Sequence, residues 1–280
     1  DYICRKAVAL GADPILTVKV ASHWAARYFL LNNKGAIAPG YLADFAVLSD
    51  LKDFHVEQVF KRGKCVWDGA NATLTEPKVD PDILQAVENT FHMPEVTVDA
   101  LRTEGERPVI GMKPGSIVSE SCGLASGIDA AQDIVKMAVA ERHHNTGHLA
   151  VCYAKGYGIR QGAVATSIAH DSHNLIGCGA NDADLALAMN RVRAMKGGMA
   201  VAKDGKILAE LPLPLAGLFT DRPLEEVNAK LEACKRAAAE LGVAGGIDPF
   251  MTLSFMSLPV IPTLRLTTRG VFDVDKMTFL

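Results

Sequence analysis

The sequence predicts a mixed protein of α-helices and β-strands, of the α+β or α/β class, with more than one domain. Apolar residues recur at helical spacing within residues 3–30 and alternate at strand spacing between residues 45 and 67. From residue 109 onward the two periods follow one another several times. A chain of 280 residues also exceeds the usual size of one domain, so two or three packed units are expected.

The composition favours a folded protein and disfavours several classes of function. Apolar residues make up 49% and charged residues 22% of the chain, which is typical of a globular protein. The formal charge of −3 and the lack of a Lys- or Arg-rich segment argue against nucleic-acid binding. No apolar run approaches the roughly 18 residues that span a bilayer, so no membrane segment is expected. Six scattered cysteines without a Cys-x-x-Cys pair favour free thiols and a cytoplasmic location.

The first part of the chain is predicted to be helical. A first helix covers about residues 3–10, and Gly11 and Asp13 then stop it and cap a second helix that begins at Pro14 and runs to about residue 30. The chain opens on Asp1, without an initiator Met and already inside an amphipathic pattern. We therefore expect it to be a piece of a longer protein.

A small β unit and a linker are predicted next. Strand patterns in residues 45–48, 56–60 and 65–67 place the β unit within residues 35–75. Residues 76–108 contain prolines at 77, 81, 94 and 108 and show weak periodicity, which predicts a linker with one short helix near residues 82–90.

Residues 109–280 are predicted to form a mixed α/β domain. The turn at Asp204 and Gly205 is the strongest local signal, because Asp-Gly between two apolar runs favours a two-residue hairpin. The other expected elements are a strand pair around residues 113–115, helices at 129–142, 182–195 and 223–241, and strands at 149–155 and 163–169.

The clearest clue to chemistry is a polar pentapeptide between two apolar segments: His170, Asp171, Ser172, His173 and Asn174. Buried polar groups without partners cost about 1–3 kcal/mol each, so these side chains require partners. One interpretation is a turn satisfied by its own backbone. The other is a ligand-binding turn, since imidazole, carboxylate and amide groups offer both donors and acceptors.

Two other polar positions carry weaker predictions. Glu120 is a second candidate for the same neighbourhood, although a surface position is the simpler interpretation. His144 and His148 have the i, i+4 interval of a metal-binding pair, provided that a helix continues there. We favour instead a helix end at residues 143–148, where His side chains complement the helix dipole.

Several segments resemble known proteins. Residues 35–44 (GAIAPGYLAD), 45–51 and 56–64 (VEQVFKRGK) resemble the β-sandwich that follows the metal-binding barrel in the amidohydrolase superfamily. The chain is also similar along its length to the C-terminal half of the bacterial adenine deaminase family, on the segments 1–8 (DYICRKAV), 11–14 (GADP), 166–174 (TSIAHDSHN), 212–217 (PLPLAG) and 249–255 (PFMTLSF). This resemblance implies the last helices of a TIM-type barrel in residues 1–34, a β-sandwich in 35–75, a linker in 76–108 and the family's C-terminal mixed domain in 109–280.

The resemblance also implies an activity. Family members hydrolyse the exocyclic amine of adenine to give hypoxanthine and ammonia, in purine salvage and adenine catabolism, with divalent Mn, Fe or Zn. Those metals are bound by an early His-x-His pair, later histidines and an Asp, and this sequence contains no His-x-His. The metal ligands and catalytic residues are therefore expected in an N-terminal barrel half outside these residues, and the chain alone is expected to be inactive.

For this chain the resemblance implies a supporting role, with adenine, the barrel half and further copies of the protein as partners. The substrate-pocket candidates are His170, Asp171, His173, Asn174 and Glu120. Two other functions stay open: a deaminase or cyclic-amide hydrolase for another nitrogen heterocycle, since barrel loops select the base, and a non-catalytic module that binds a purine or a partner protein.

Overall fold

The computed structural model describes residues 1–73 and 78–280, which divide into two compact units, Asp1–Lys78 and Val79–Leu280. Both units contain helices and strands, which confirms the predicted mixed class. The predicted end of the β unit at residue 75 and the predicted start of the linker at residue 76 lie outside the described residues.

The first unit contains helices followed by a small antiparallel sheet. The helices are α1 (Tyr2–Ala9), α2 (Pro14–Lys19) and α3 (Ala25–Tyr28), with a π-helical turn at Val20–Trp24 between the last two. The sheet has the order β1 (Phe45–Leu48), β2 (Val56–Lys61), β3 (Lys64–Trp67). Asp13 begins α2 as predicted, because its side chain accepts a hydrogen bond from the Leu16 N–H at 2.7 Å and Pro14 occupies the first helical position.

Asp44 ties the sheet of the first unit together at the start of β1. Its carboxylate accepts hydrogen bonds from Lys61 Nζ at 2.8 Å, the Arg62 N–H at 2.8 Å and Lys34 Nζ at 3.1 Å. The hydrogen bond from Lys61, followed by those from Arg62 and Lys34, holds the pKa of Asp44 well below its usual range. The carboxylate therefore joins β1 to the β2–β3 turn at all ordinary pH values.

The second unit is built on one eight-stranded sheet. After helix α4 (Pro81–Glu88), the strands are β4 (Arg107–Gly111), β5 (Glu120–Ala125), β6 (Ile134–Ala140), β7 (Leu149–Lys155), β8 (Ala163–Thr166), β9 (Leu175–Gly179), β10 (Gly198–Lys203) and β11 (Lys206–Pro212). Their order in the sheet is β11-β10-β8-β9-β6-β7-β4-β5, with β4 and β7 parallel and the other neighbours antiparallel.

Helices cover both faces of this sheet. Helix α5 (Asp182–Ala194) packs on one face, against strand residues such as Ala163 and Ala165. Helices α6 (Leu224–Glu240) and α7 (Met251–Met256) pack on the other face, against residues such as Val164. A small sheet of β12 (Leu264–Thr267), β13 (Gly270–Asp273) and β14 (Thr278–Phe279) follows. Because the central strands are buried on both faces, their sequences are mostly apolar, with Lys136 in β6 and Thr166 in β8 as buried exceptions.

The predicted helix at residues 129–142 is wrong. That segment forms a short 3₁₀ turn, Ala130–Gln132, and then strand β6, which pairs with β7 on one side and β9 on the other. Val135, Met137 and Val139 pack on one face of the sheet, whereas Ala138 and Ala140 pack on the opposite face. A strand buried on both faces carries no polar alternation, so its apolar run is indistinguishable from a buried helix by periodicity.

Other local predictions are confirmed. Strands β10 and β11 form the hairpin around Asp204 and Gly205, and strands β4 and β5 flank residues 113–115. The helices expected at 182–195 and 223–241 are α5 and α6, and Asn181 caps α5. The strand expected at 163–169 ends earlier, at Thr166.

None of the helices in the described residues is both long and apolar enough to cross a bilayer.

The segment that precedes β4 packs onto the sheet. Met93, Val96 and Leu101 are buried on the same face as α5. Asn190 of α5 holds this segment with its amide, because its Oδ1 accepts from the Val96 N–H at 2.9 Å and its Nδ2 donates to the Val96 carbonyl at 2.8 Å. The described part of the predicted linker therefore contributes core residues to the second unit.

Candidate functional site

The polar turn at residues 170–174 connects β8 to β9 at one end of the sheet. His170 and His173 are half-buried, Asp171 and Ser172 are exposed, and Asn174 is buried. His173 adopts the left-handed conformation, with φ of 49°. The two imidazole rings lie edge to face, with 5.5 Å between their centroids. The turn thus presents two neighbouring histidines and an exposed carboxylate at the sheet end.

Helix α7 holds the first half of the turn. The His170 N–H donates to the Ser254 carbonyl at 2.8 Å, and Ser257 Oγ donates to the His170 carbonyl at 3.2 Å. The His170 ring packs against Phe255, with 4.9 Å between centroids. His170 is therefore packed against α7 and hydrogen-bonded to it.

The residues that follow β6 hold the second half of the turn. The Arg142 N–H donates to Asn174 Oδ1 at 3.3 Å, and Arg142 Nε donates to the His173 carbonyl. His143 Nε2 donates to the Ser172 carbonyl at 2.7 Å. Asn174 Nδ2 also donates to Ser172 Oγ at 3.1 Å. Both hydrogen-bonding groups of the Asn174 amide are thus engaged within the protein.

Burial and charge act together on His173. Desolvation, followed by the proximity of His170 and Arg142, lowers the pKa of His173 below its ordinary value, while Asp171 opposes the shift. Its imidazole is therefore neutral at neutral pH, with one donor and one acceptor nitrogen. Nδ1 of His173 is buried and has no hydrogen-bond partner among residues 1–73 and 78–280.

Glu141 organises the loop that carries His143. Its buried carboxylate accepts hydrogen bonds from the N–H groups of His143, His144 and Thr146, and from Thr146 Oγ1 at 3.0 Å. Burial opposes ionisation of Glu141, but the hydrogen bonds from these N–H groups outweigh it and bring its pKa to about 2. The loop at residues 141–148 is therefore arranged around one anion.

The helix end predicted at residues 143–148 is wrong, because β6 is a strand and the loop after it is organised by Glu141. The i, i+4 relation of His144 and His148 therefore has no helix to support it. Across residues 1–73 and 78–280, no three His, Cys, Asp or Glu side chains are grouped so that they could hold a metal ion.

Glu120 lies apart from the turn. It begins the edge strand β5, which strands β4, β7 and β6 separate from β9. Its carboxylate forms an exposed ion pair with Lys113 at 2.6 Å. The structure thus brings together His170, Asp171, His173 and Asn174 but not Glu120.

Sequence reasoning missed Arg142 as a partner of the turn. Arg142 follows a buried strand and is itself 1% exposed, and its Nη2 donates to the Ala216 carbonyl at 3.1 Å. A cationic residue at the end of an apolar run is the signal that identifies such a position, because an arginine there must find buried acceptors. Ala216 lies in the segment 212–217, which the sequence marks only by its family resemblance and not as a support of the turn.

Comparisons with known proteins agree with one another. Residues 117–278 match the family described as adenine deaminase C-terminal domain, and residues 4–66 match the amidohydrolase family. Adenine deaminase of Halalkalibacterium halodurans is 39% identical over 100% of this chain and 50% of that protein. Adenine deaminase 2 of Carboxydothermus hydrogenoformans is 41% identical over 98% of this chain and 50% of that protein. Adenine deaminase of Dehalococcoides mccartyi is 41% identical over 98% and 49%.

These matches define an amidohydrolase-related protein with an additional C-terminal domain. More narrowly, the chain belongs to the adenine deaminase family. It spans about half the length of the curated relatives that it matches.

Proposed function

We propose that this chain is the C-terminal half of a cytoplasmic, metal-dependent adenine deaminase that converts adenine and water to hypoxanthine and ammonia in purine salvage. The observation that carries the proposal is the end-to-end similarity, 39% and 41% identity over 100% and 98% of the chain, to proteins named adenine deaminase. The alignment covers the turn as well as both units, so the whole chain takes part in the comparison.

The proposed domains follow the family resemblance. Residues 1–34 are the last helices of a TIM-type barrel, residues 35–75 a β-sandwich, residues 76–108 a connection and residues 109–280 the C-terminal domain. The amidohydrolase match at residues 4–66 supports the first two. Ile3, Leu10 and Tyr28 support a missing partner for the helices, because their side chains are 80%, 80% and 81% exposed.

The metal belongs to the other half in this proposal. A bound divalent ion (Mn, Fe or Zn) lowers the pKa of water toward 7 and so supplies the nucleophile. Within residues 1–73 and 78–280, no three His, Cys, Asp or Glu side chains are grouped as metal ligands. The complete protein is proposed to be a homo-oligomer, which light scattering measures directly.

The part played by this chain is to cover the purine with the 170–174 turn. His173 offers a half-buried imidazole that is neutral at neutral pH, and His170 and Asp171 flank it. Such a set matches the mixed donor and acceptor edge of adenine. Asn174 stabilises the turn, since its amide is already engaged. Glu120, at the far edge of the sheet, is the weakest member of the original set.

Replacing His173 by Ala in the complete enzyme tests this role. We expect kcat/KM for adenine to fall about tenfold, which corresponds to about 1.4 kcal/mol of transition-state stabilisation. His144→Ala is the matched control, because that imidazole is exposed and lies outside the turn. Unchanged kinetics together with a lower melting temperature in His173→Ala would return the turn to a purely structural role.

The 280-residue chain itself tests where the metal is bound. We expect no ammonia release from adenine when the purified chain is supplied with Mn²⁺, Fe²⁺ or Zn²⁺. Robust release would contradict the placement of the metal ligands in the other half.

A further inference from the structure

Arg142 is a buried cation that forms no ion pair with a carboxylate among the residues that the structure describes. The side chain is 1% exposed, and desolvation lowers its pKa to about 10. Its neighbour Glu141 directs its carboxylate to backbone N–H groups of the following loop. Buried arginines are normally paired, because removing an isolated charge from water costs several kcal/mol. The Nε and Nη2 of Arg142 donate instead to carbonyl oxygens, and its Nη1 has no hydrogen-bond partner among the described residues. The position of Arg142 in the fold therefore requires another explanation.

The hydrogen bonds of Arg142 converge on the turn. Its backbone N–H binds the Asn174 side chain, its Nε binds the His173 carbonyl, and its Nη2 binds the Ala216 carbonyl. The guanidinium also lies over the ring of Phe91, with Cζ 4.8 Å from the ring centroid. One residue therefore joins the end of β6, the histidine turn and the loop after β11.

Arg142 binds the carbonyl of a residue with an unusual backbone conformation. His173 has a φ of 49°, a conformation that L-residues adopt rarely and that the surroundings must enforce. A hydrogen bond to the carbonyl of the same residue restrains the peptide plane that follows it. Arg142 thus restrains the backbone from which the His173 imidazole projects.

We propose that Arg142 is a positioning residue for the deaminase reaction, which fixes the His173 backbone and thereby aims the His173 imidazole at the substrate. The inference rests on the proposed function of the turn. Arg142 touches no reacting atom in this scheme, and it acts only through His173. A planar guanidinium suits this task, because its donors point in fixed directions whereas a Lys ammonium has no such geometry.

Gly217 offers a second way to disturb the same contact. A Cβ built on Gly217 would lie 2.6 Å from Arg142 Nη1 and 2.8 Å from its Cζ, so Gly217→Ala must displace the guanidinium. Gly217 has a φ of +72°, and an Ala there is strained as well. Gly205 is the matched control, because its φ is +73° and nothing lies within 4 Å of a Cβ built there. Gly217→Ala and Gly205→Ala both strain the backbone, but only Gly217→Ala collides with Arg142.

The pH profile separates the positioning role of Arg142 from the effect of its charge on the pKa of His173. The charged and titratable groups that act on His173 are His170, Arg142, Asp171 and His143. Removing the positive charge of Arg142 raises the pKa of His173, so the neutral imidazole is lost at a higher pH. Arg142→Met should therefore shift the acid limb of kcat/KM to higher pH. Arg142→Lys keeps the charge and should leave that limb in place, although its kcat/KM falls.

The experiment measures kcat/KM against pH, and the melting temperature, for six variants of the complete enzyme: Arg142→Lys, Arg142→Met, Gly217→Ala, Gly205→Ala, Lys136→Met and His173→Ala. We expect at least a tenfold loss of kcat/KM for both Arg142 variants and for Gly217→Ala. Lys136→Met removes a different buried cation, which lies in β6 and pairs with Asp182, and should lower only the melting temperature. Gly205→Ala should behave like Lys136→Met.

The outcomes distinguish the proposed role of the turn from the positioning role of Arg142. If His173→Ala lowers kcat/KM but Gly217→Ala and the Arg142 variants stay within twofold of wild type, Arg142 is structural and only the positioning role fails. If His173→Ala itself has no kinetic effect, the proposed function of the turn fails and the positioning role fails with it. Should Arg142→Met not fold, Arg142→Lys and Gly217→Ala still decide the question.

Discussion

Replacing Glu141 by Gln tests whether one buried carboxylate holds the loop beside the histidine turn. The pKa of Glu141 falls from an ordinary 4.5 to about 2 in the folded protein. Since each pKa unit corresponds to about 1.36 kcal/mol, the shift sets an upper limit of about 3 kcal/mol on the stabilisation, and solvent screening in this surface loop reduces it. Gln keeps one acceptor oxygen but loses the charge, so we expect a loss of about 1–2 kcal/mol at pH 7.

The stabilisation by the Glu141 carboxylate should depend on pH. Because the pKa of Glu141 is lower in the folded state, its stabilising contribution is complete above pH 4.5 and disappears as the pH falls toward 2. The difference between wild type and Glu141→Gln in urea denaturation should therefore be large at pH 7 and small near pH 2.5. Hydrogen exchange at the amides of His143, His144 and Thr146 should also accelerate, since these N–H groups lose their charged acceptor.

Glu240→Gln serves as the control, because Glu240 is exposed at the end of α6 and should change stability by less than about 0.5 kcal/mol. The reasoning would be refuted by a Glu141→Gln protein whose stability matches this control at pH 7. It would also be refuted if residues 143–146 kept their slow exchange.

Two further predictions concern packing and charge. Gly177→Ala would place a Cβ 2.8 Å from Leu185 Cδ1 and 3.1 Å from the Val164 carbonyl oxygen. We therefore expect denaturation experiments to show a loss of about 1–3 kcal/mol in the free energy of unfolding. The double variant Gly177→Ala/Leu185→Ala should lose less than the sum of the two single variants, because the smaller side chain removes the collision. Asp44→Asn should speed hydrogen exchange at the Arg62 amide and weaken the β1–β2 pairing at neutral pH. In strong acid the variant and the wild type should behave alike, because Asp44 of the wild type is itself protonated there. Equal exchange rates at pH 7 would contradict this prediction.

Elements with their own end signals could be predicted from the sequence. Helix α6 has Pro223 before it and Gly242 after it, and the β10–β11 hairpin has Asp204 and Gly205 at positions that require positive φ. Strand β6 has no comparable signal, and its identity is decided by hydrogen bonds to β7 and β9. Those partners lie about 15 and 40 residues away, and no local pattern reports on them.

The candidate site shows the same division. Residues 170–174 form one contiguous polar segment, and a contiguous segment is visible in a sequence. Its supports are not contiguous with it: Arg142 follows β6, Ser254 belongs to α7, and Ala216 follows β11. Only the tertiary fold brings these segments to the same end of the sheet.

The separation between the turn and its supports explains which residues a sequence can nominate. A histidine is noticed because its side chain can do chemistry, whereas Arg142 acts here through the hydrogen bonds of its own main chain and guanidinium to other residues. Those bonds hold a residue whose φ is 49°, so part of the energy that keeps His173 in place comes from a residue 31 positions earlier. A substitution at Arg142 or Gly217 is therefore expected to act at the turn without touching it, and mutagenesis limited to the histidines would miss this dependence.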